Sequence, residues 1–200
     1  MTEQILLLRP NQNTYEWGQK AADLIKQYGY PLIDIQKDEV TSINVKKSLE
    51  QYKPRMLITF SDGTPSCIRG QQECVISRFK SRDENILNKM IVISISPYTT
   101  VQLGESAIIT GTDSYFGYDD IIIFPSDGMN SQDLFRDVHI TYLRSLLEGK
   151  TVKEAEKDMN DFEDSLIKSY KNSKYISLPL LWNKEHRKIL GNKDVRLNPM

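Results

Sequence analysis

Cysteine and histidine are scarce in this sequence, with two of each among 200 residues. Cys67 and Cys74 stand seven positions apart. Neither a CxxC pair nor a histidine cluster accompanies them, which argues against a zinc site. A chain of this length buries a core without staples, so the thiols read as a reduced cytoplasmic pair, with a local disulfide as the alternative. Charge of one sign is lacking too. The 26 basic and 27 acidic residues leave a net charge of −1, so no global field draws the chain to nucleic acid or anionic lipid. Aromatics are scattered with no basic stripe among them, which leaves nucleic-acid binding unsupported. Long apolar runs are also missing. The N-terminal run Ile5 to Leu8 holds four residues with no basic segment before it, which fits a strand and neither a signal peptide nor a membrane span. The expectation is a cytoplasmic protein with no cofactor, no metal, no nucleic acid and no membrane partner.

What is present alternates strand and helix. "QILLLR" is short and continuously apolar, as a strand buried on both faces is. In "NTYEWGQKAADLIKQYGY", Asn13 and Glu16 have capping-box spacing, and Trp17, Ala21, Leu24, Ile25 and Tyr28 share a helical stripe that Gly29 ends. "PLIDIQ" reads as a second strand, "SINVKKSLEQYKP" as a helix ended by Pro54, and "RMLITF" as a third strand. Such alternation implies a parallel sheet with right-handed crossovers. The stretch "SDGTPSCIRGQ" reads as a polar loop, and "ECVISRFKSRDENILNKM" as ambiguous, helical toward its end. "IVISIS" is a fourth strand, followed by a helix in "TVQLGESAIITG" with Thr99 or Thr100 as cap and Gly111 as stop. "DSYFGY" is a fifth strand, and "DIIIFP" an extended continuation or a sixth. Two longer helices come next: Ser131 to Glu148, then one opened by a Thr151–Glu154 capping box. The tail reads as a short helical turn and a final extended piece at "KILG". No repeat or linker divides residues 1–200, so one domain is expected.

In open parallel sheets, ligands gather beyond the carboxyl ends of the strands. Two such ends stand out, "FSDGTPS" after the third strand and "ISPYTT" after the fourth. Turn chemistry alone accounts for their Asp-Gly and Ser-Pro pairs.

Taken in order with the segments C-terminal to them, the two ends also resemble a caspase-type cysteine peptidase domain of the gingipain-like branch. "LITFSDGTPSCIRGQ" is similar to the family's strand running into His-Gly, with Asp62-Gly63 in its place. "IVISISPYTTVQLGESAIITGTDSYFGY" is similar to the strand that ends on the catalytic cysteine, with Leu103-Gly104, Gly111 and Gly117-Tyr118 in step. "LLEGKTVKEA" and "LLWNKEHRKILGN" resemble the family's helix joint and its closing Asn and Leu-Gly segment. The resemblance implies a three-layer α/β sandwich, a mostly parallel sheet with helices on both faces.

It also implies a missing reaction centre. Such a peptidase needs a thiolate, an imidazole and backbone donors aimed at an oxyanion. Pro97 stands where the cysteine belongs, and a one-residue slip offers only Ser96 or Tyr98. Proline has no N–H to give the oxyanion, and losing one such donor costs roughly two to three orders of magnitude in rate. Asp62 puts a carboxylate where the imidazole would be, opposing negative charge in the transition state. The resemblance therefore implies a non-cleaving homologue that binds protein or peptide. Its cleft is bounded by Ser61, Asp62, Gly63, Thr64, Ser96, Pro97, Tyr98 and Thr99.

Two other classes stay open: a hydrolase using an unmatched residue such as Cys67, and a small-ligand or nucleotide sensor. Cys67 has no histidine in either matched block, and His139 and His186 read as packing or surface residues. A serine route through Ser61, Ser94 or Ser96 with Asp62 lacks a proton carrier between them. Asp62, Asp113, Asp119 and Asp120 fit no compact metal loop. A sensor wants a phosphate cradle after the first strand, where "PNQNTYEWG" reads better as a helix cap. The partner and the oligomeric state are not encoded in any motif.

Overall fold

The computed structural model describes residues 3–10, 15–78, 85–124 and 131–198. Its central sheet is built from β1 (Ile5–Arg9), β2 (Leu32–Gln36), β3 (Met56–Phe60), β7 (Ile91–Ile95), β8 (Ser114–Tyr118) and β9 (Arg187–Gly191). These six strands lie in the order β2-β1-β3-β7-β8-β9. Every pairing is parallel except β8 with β9. Strands β1, β3, β7 and β8 are buried along their whole lengths, which is why the first three read as largely apolar runs.

Alternation splits these strands between two cores. Ile5, Leu7, Met56, Ile58, Phe60, Ile93 and Phe116 face one layer of helices. That layer holds α1 (Tyr15–Gln27), α4 (Ser131–Leu147), α5 (Val152–Ser169) and α6 (Lys174–His186). Leu6, Leu8, Leu57, Val92 and Tyr115 face the other. It holds α2 (Ser42–Tyr52), α3 (Glu105–Ile109) and a small antiparallel sheet of β4 (Gly63–Thr64), β5 (Cys67–Arg69) and β6 (Cys74–Ser77). The result is the expected α/β sandwich with a mostly parallel sheet.

Local signals account for many boundaries. Thr41 caps α2 by accepting from the Asn44 amide. The Thr151–Glu154 capping box forms in both directions and opens α5. Gly29 closes the turn after α1 at φ 79°. The expected Asn13 cap lies outside the described residues.

Four expectations need correction. The polar loop after β3 and the first part of the ambiguous segment form β4, β5 and β6, because pairing with one another satisfies their backbones. Among the described residues, the helicity expected at that segment's end amounts to a 3-10 turn at Asn85–Leu87. Of the two readings of "DIIIFP", a sixth strand does not form at its described residues, 120–124. There the Asn183 side chain does a strand's work, donating to the Ile123 carbonyl at 2.6 Å and accepting its N–H at 2.9 Å. The tail forms a full 13-residue helix with Pro179 inside it, not a short turn.

Candidate functional site

The ends of β3 and β7 lie side by side, with Thr59 opposite Ser94 and Phe60 opposite Ile95. A Cβ on Gly63 would meet the Pro97 carbonyl and Thr99 Cγ2, each at 2.6 Å. Asp62-Gly63 and Pro97 therefore share one place on the sheet's carboxyl edge. The structure brings these predicted site residues together.

Parity aims Thr59, Ser61, Ser94 and Ser96 at one sheet face, where they form a buried hydroxyl cluster. Thr59 donates to Ser61 Oγ at 2.8 Å, and Ser61 and Ser96 hydroxyls lie 2.9 Å apart. Thr99 Oγ1 lies 3.1 Å from Ser94 Oγ and 3.2 Å from the Ser96 carbonyl. Burial pushes the neighbouring Tyr115 phenol up to about 12. Among the described residues none meets its hydroxyl at hydrogen-bond geometry, although Thr99 and Ser94 lie close enough to temper the rise. These hydroxyls spend their capacity on one another, and none bonds to a histidine. Ser61, Ser96 and Thr99, expected to bound a cleft, are thus interior residues. Asp62 is exposed, and Gly63, Thr64, Pro97 and Tyr98 are half-buried, so these five form the accessible surface.

The platform after β7 is turned sharply. Tyr98 sits at φ 63°, a left-handed conformation unusual for a bulky side chain. Its N–H donates to the Asp120 carbonyl at 3.3 Å. Pro97 has no N–H at all. Neither of these two consecutive positions therefore has an uncommitted backbone N–H. Neither Thr99 nor Thr100 caps the next helix by its side chain. The chain instead enters a π-helical turn at Thr100–Gly104 that runs into α3.

The cysteines depart from the reduced pair expected of them. Cys67 and Cys74 form a disulfide with a 1.99 Å S–S bond across the β5–β6 turn. No free thiol is present, which removes Cys67 as a nucleophile in this state. The antiparallel pairing of β5 and β6 sets their Cα atoms 5.9 Å apart, within disulfide reach.

Of the histidines, His139 is buried in α4. Its Nδ1–H donates to the Phe135 carbonyl at 2.8 Å, and Nε2 accepts from the Tyr118 hydroxyl at 2.6 Å. Burial lowers its pKa to about 3, so it packs as a neutral ring. His186, which reads from the sequence as a packing or surface residue, holds a specific partner. Its Nδ1 lies 2.8 Å from Asp119 Oδ1, and its ring stacks on Trp182 at 4.2 Å. Burial raises the Asp119 carboxyl, but hydrogen bonds from His186 and Lys188 hold it below its ordinary value. Both residues line a cleft of about 520 Å³ with Thr100, Glu105, Asp120 and Lys188. The cleft adjoins the platform through the Tyr98–Asp120 bond. No local motif marks this pair, because its members are 67 positions apart.

Asp113 lies at the other end of β8 and pairs with Arg55 at 2.7 Å. Among the described residues, no three His, Cys, Asp or Glu side chains gather as a metal site. At the end of β1, buried Arg9 binds Asp34 through Nε at 2.9 Å and Nη2 at 2.5 Å, and Gln19 through Nη1 at 2.9 Å. Its cation is committed to the protein's own groups.

Solved gingipain structures share this fold. The complex of Porphyromonas gingivalis RgpB pro- and mature domains matches with a TM-score of 0.65 at 13% identity, covering 98% of this chain and 49% of that one. The Arg-specific cysteine proteinase gingipain R matches at 0.64 and 14% identity, with 98% and 48% covered. The fold is gingipain-like. At such identity the likeness concerns the fold alone, since one fold hosts many functions. This chain spans about half the length of those gingipain structures. No family model and no curated protein matches the sequence.

Proposed function

We propose that this gingipain-like chain is a binding module that holds a peptide or protein segment without cleaving it. The observation that carries this reading is the donor arrangement after β7. Pro97 has no N–H, and the Tyr98 N–H is engaged by Asp120. Acyl transfer needs donors aimed at the developing oxyanion, and it needs a nucleophile beside a base. The nearest hydroxyls are buried and mutually bonded, and the sulfur of Cys67 is in a disulfide. What remains at the surface is shape: Asp62, Gly63, Thr64, Pro97 and Tyr98, beside the cleft at Asp119 and His186. Cytoplasmic residence, expected from a reduced pair, loses that support, since disulfides persist mainly in oxidising compartments.

One arrangement favours the competing hydrolase reading. Asp119 orients His186, and the Thr100 hydroxyl, buried and without a partner among the described residues, lines the same cleft. Prolonged incubation of the protein with a mixed peptide library, read by mass spectrometry, separates the two. The binding module leaves every peptide intact and retains a subset on affinity capture. Turnover abolished by His186→Ala or by Cys67→Ala would establish an enzyme instead.

A further inference from the structure

Helix α6 carries apolar residues on two faces. Its inner face buries Ile176 and Leu180. Its outer face presents Tyr175, Leu178 and Leu181 at 69%, 57% and 46% exposure. Spacing of three keeps these side chains along one stripe. Trp182 extends the patch, because its indole N–H donates to the Ile121 carbonyl at 3.1 Å, and Ile121 is itself 44% exposed. A single exposed leucine needs no explanation, but a contiguous patch marks a surface that something covers. A helix apolar on both sides is normally buried on both.

Charge indicates what covers it. From Ser165 to Asn183 the chain has three lysines and no aspartate or glutamate. Lys168, Lys171 and Lys174 are exposed. Among the described residues they form no ion pair, whereas Lys157 and Lys184 on the same two helices bind Asp161 and Asp164 at 2.6 and 2.5 Å. The α5–α6 corner thus carries local positive charge that the net −1 conceals. Lysine stems lie along apolar surface while their ammonium groups reach out to phosphate. Tyrosine and tryptophan favour the headgroup depth of a bilayer, and leucine the acyl boundary beneath it. A protein partner would also cover leucines, but aromatics and lysines with no acid between Ser165 and Asn183 suit a lipid surface better. No helix among the described residues is long and apolar enough to cross a membrane, so the contact is adsorption.

We propose that the outer face of α6, with the α5–α6 corner, docks on an anionic lipid surface. Flotation of the full chain with vesicles tests this, comparing phosphatidylcholine alone with a mixture containing phosphatidylglycerol. The protein is expected to float with the mixed vesicles and not with the neutral ones, and to be released as salt rises. Lys171→Glu and Lys174→Glu should each weaken binding about fivefold or more. The Leu178→Glu, Leu181→Glu double variant should lose it by about tenfold or more with its melting temperature unchanged, both positions being exposed. Absence from both vesicle types overturns the proposal, as does undiminished binding by the leucine variant. A dimer in solution that Leu178→Glu splits, without lipid binding, overturns it as well and assigns the face to a second copy.

Discussion

A Cβ on Gly63 would stand 2.6 Å from the Pro97 carbonyl oxygen, so the chain segments leaving β3 and β7 touch backbone to side-chain-free backbone. Gly63→Ala must push that carbonyl and the Thr99 methyl aside. Overpacking of this kind costs about 1–3 kcal/mol. Urea denaturation should show a lowered midpoint with an unchanged slope. A wild-type midpoint would mean that the two strand ends are not in contact.

The Cys67–Cys74 bridge closes a short loop. In the chain-entropy view, opening it costs roughly 2–3 kcal/mol. Cys67→Ala and Cys74→Ala should each lower stability by that amount, and the double variant by no more, because both remove the same bond. A thiol reagent added to the folded, unreduced protein should find nothing to label. Two labelled sites before reduction would contradict the bridge.

His139 makes stability depend on pH in a definite direction. Its folded pKa is about 3, below the ordinary 6.5, because burial disfavours the cation. The unfolded chain therefore binds a proton that the folded chain refuses between those values. Stability from this residue is complete above about pH 6.5 and falls as pH drops toward 3, by about 1.4 kcal/mol per unit for one proton. His139→Gln should flatten that part of the profile relative to wild type. Parallel profiles for the two proteins would rule out His139 as the source.

Arg187 opens β9 and reaches Glu163 in α5 at 2.7 Å, with side-chain exposures of 4% and 0%. Burial raises the Glu163 pKa, and Arg187 draws it back. Removing one partner strands a buried charge, which costs about 3–5 kcal/mol. Glu163→Gln and Arg187→Met should each be strongly destabilising. The Glu163→Leu, Arg187→Met pair should recover much of the loss. Additive losses in thermal unfolding would show that the two do not interact.

Where local chemistry suffices, the sequence could be read directly. The continuous apolar runs at Leu6, Leu57 and Val92 specify strands buried on both faces, and the Thr151–Glu154 spacing specifies a helix start. The tail helix was harder to read. Pro179 interrupts the pattern, and outward leucines blur the inward stripe of Ile176 and Leu180. Strands β4 to β6 were also hidden, because such short segments carry no period and gain their hydrogen bonds only from one another.

Residue identity alone puts Asp62 and Pro97 at the ends of the third and fourth strands, with neither imidazole nor thiol. Residue identity is a local property, and proline lacks an amide hydrogen wherever it sits. It takes the folded chain to show that the serines there satisfy one another, that Cys67 meets Cys74, and that Asp119 holds His186. Those relationships depend on distances between segments far apart in the chain or across a turn. The closing of the sheet sets such distances, and periodicity does not encode them.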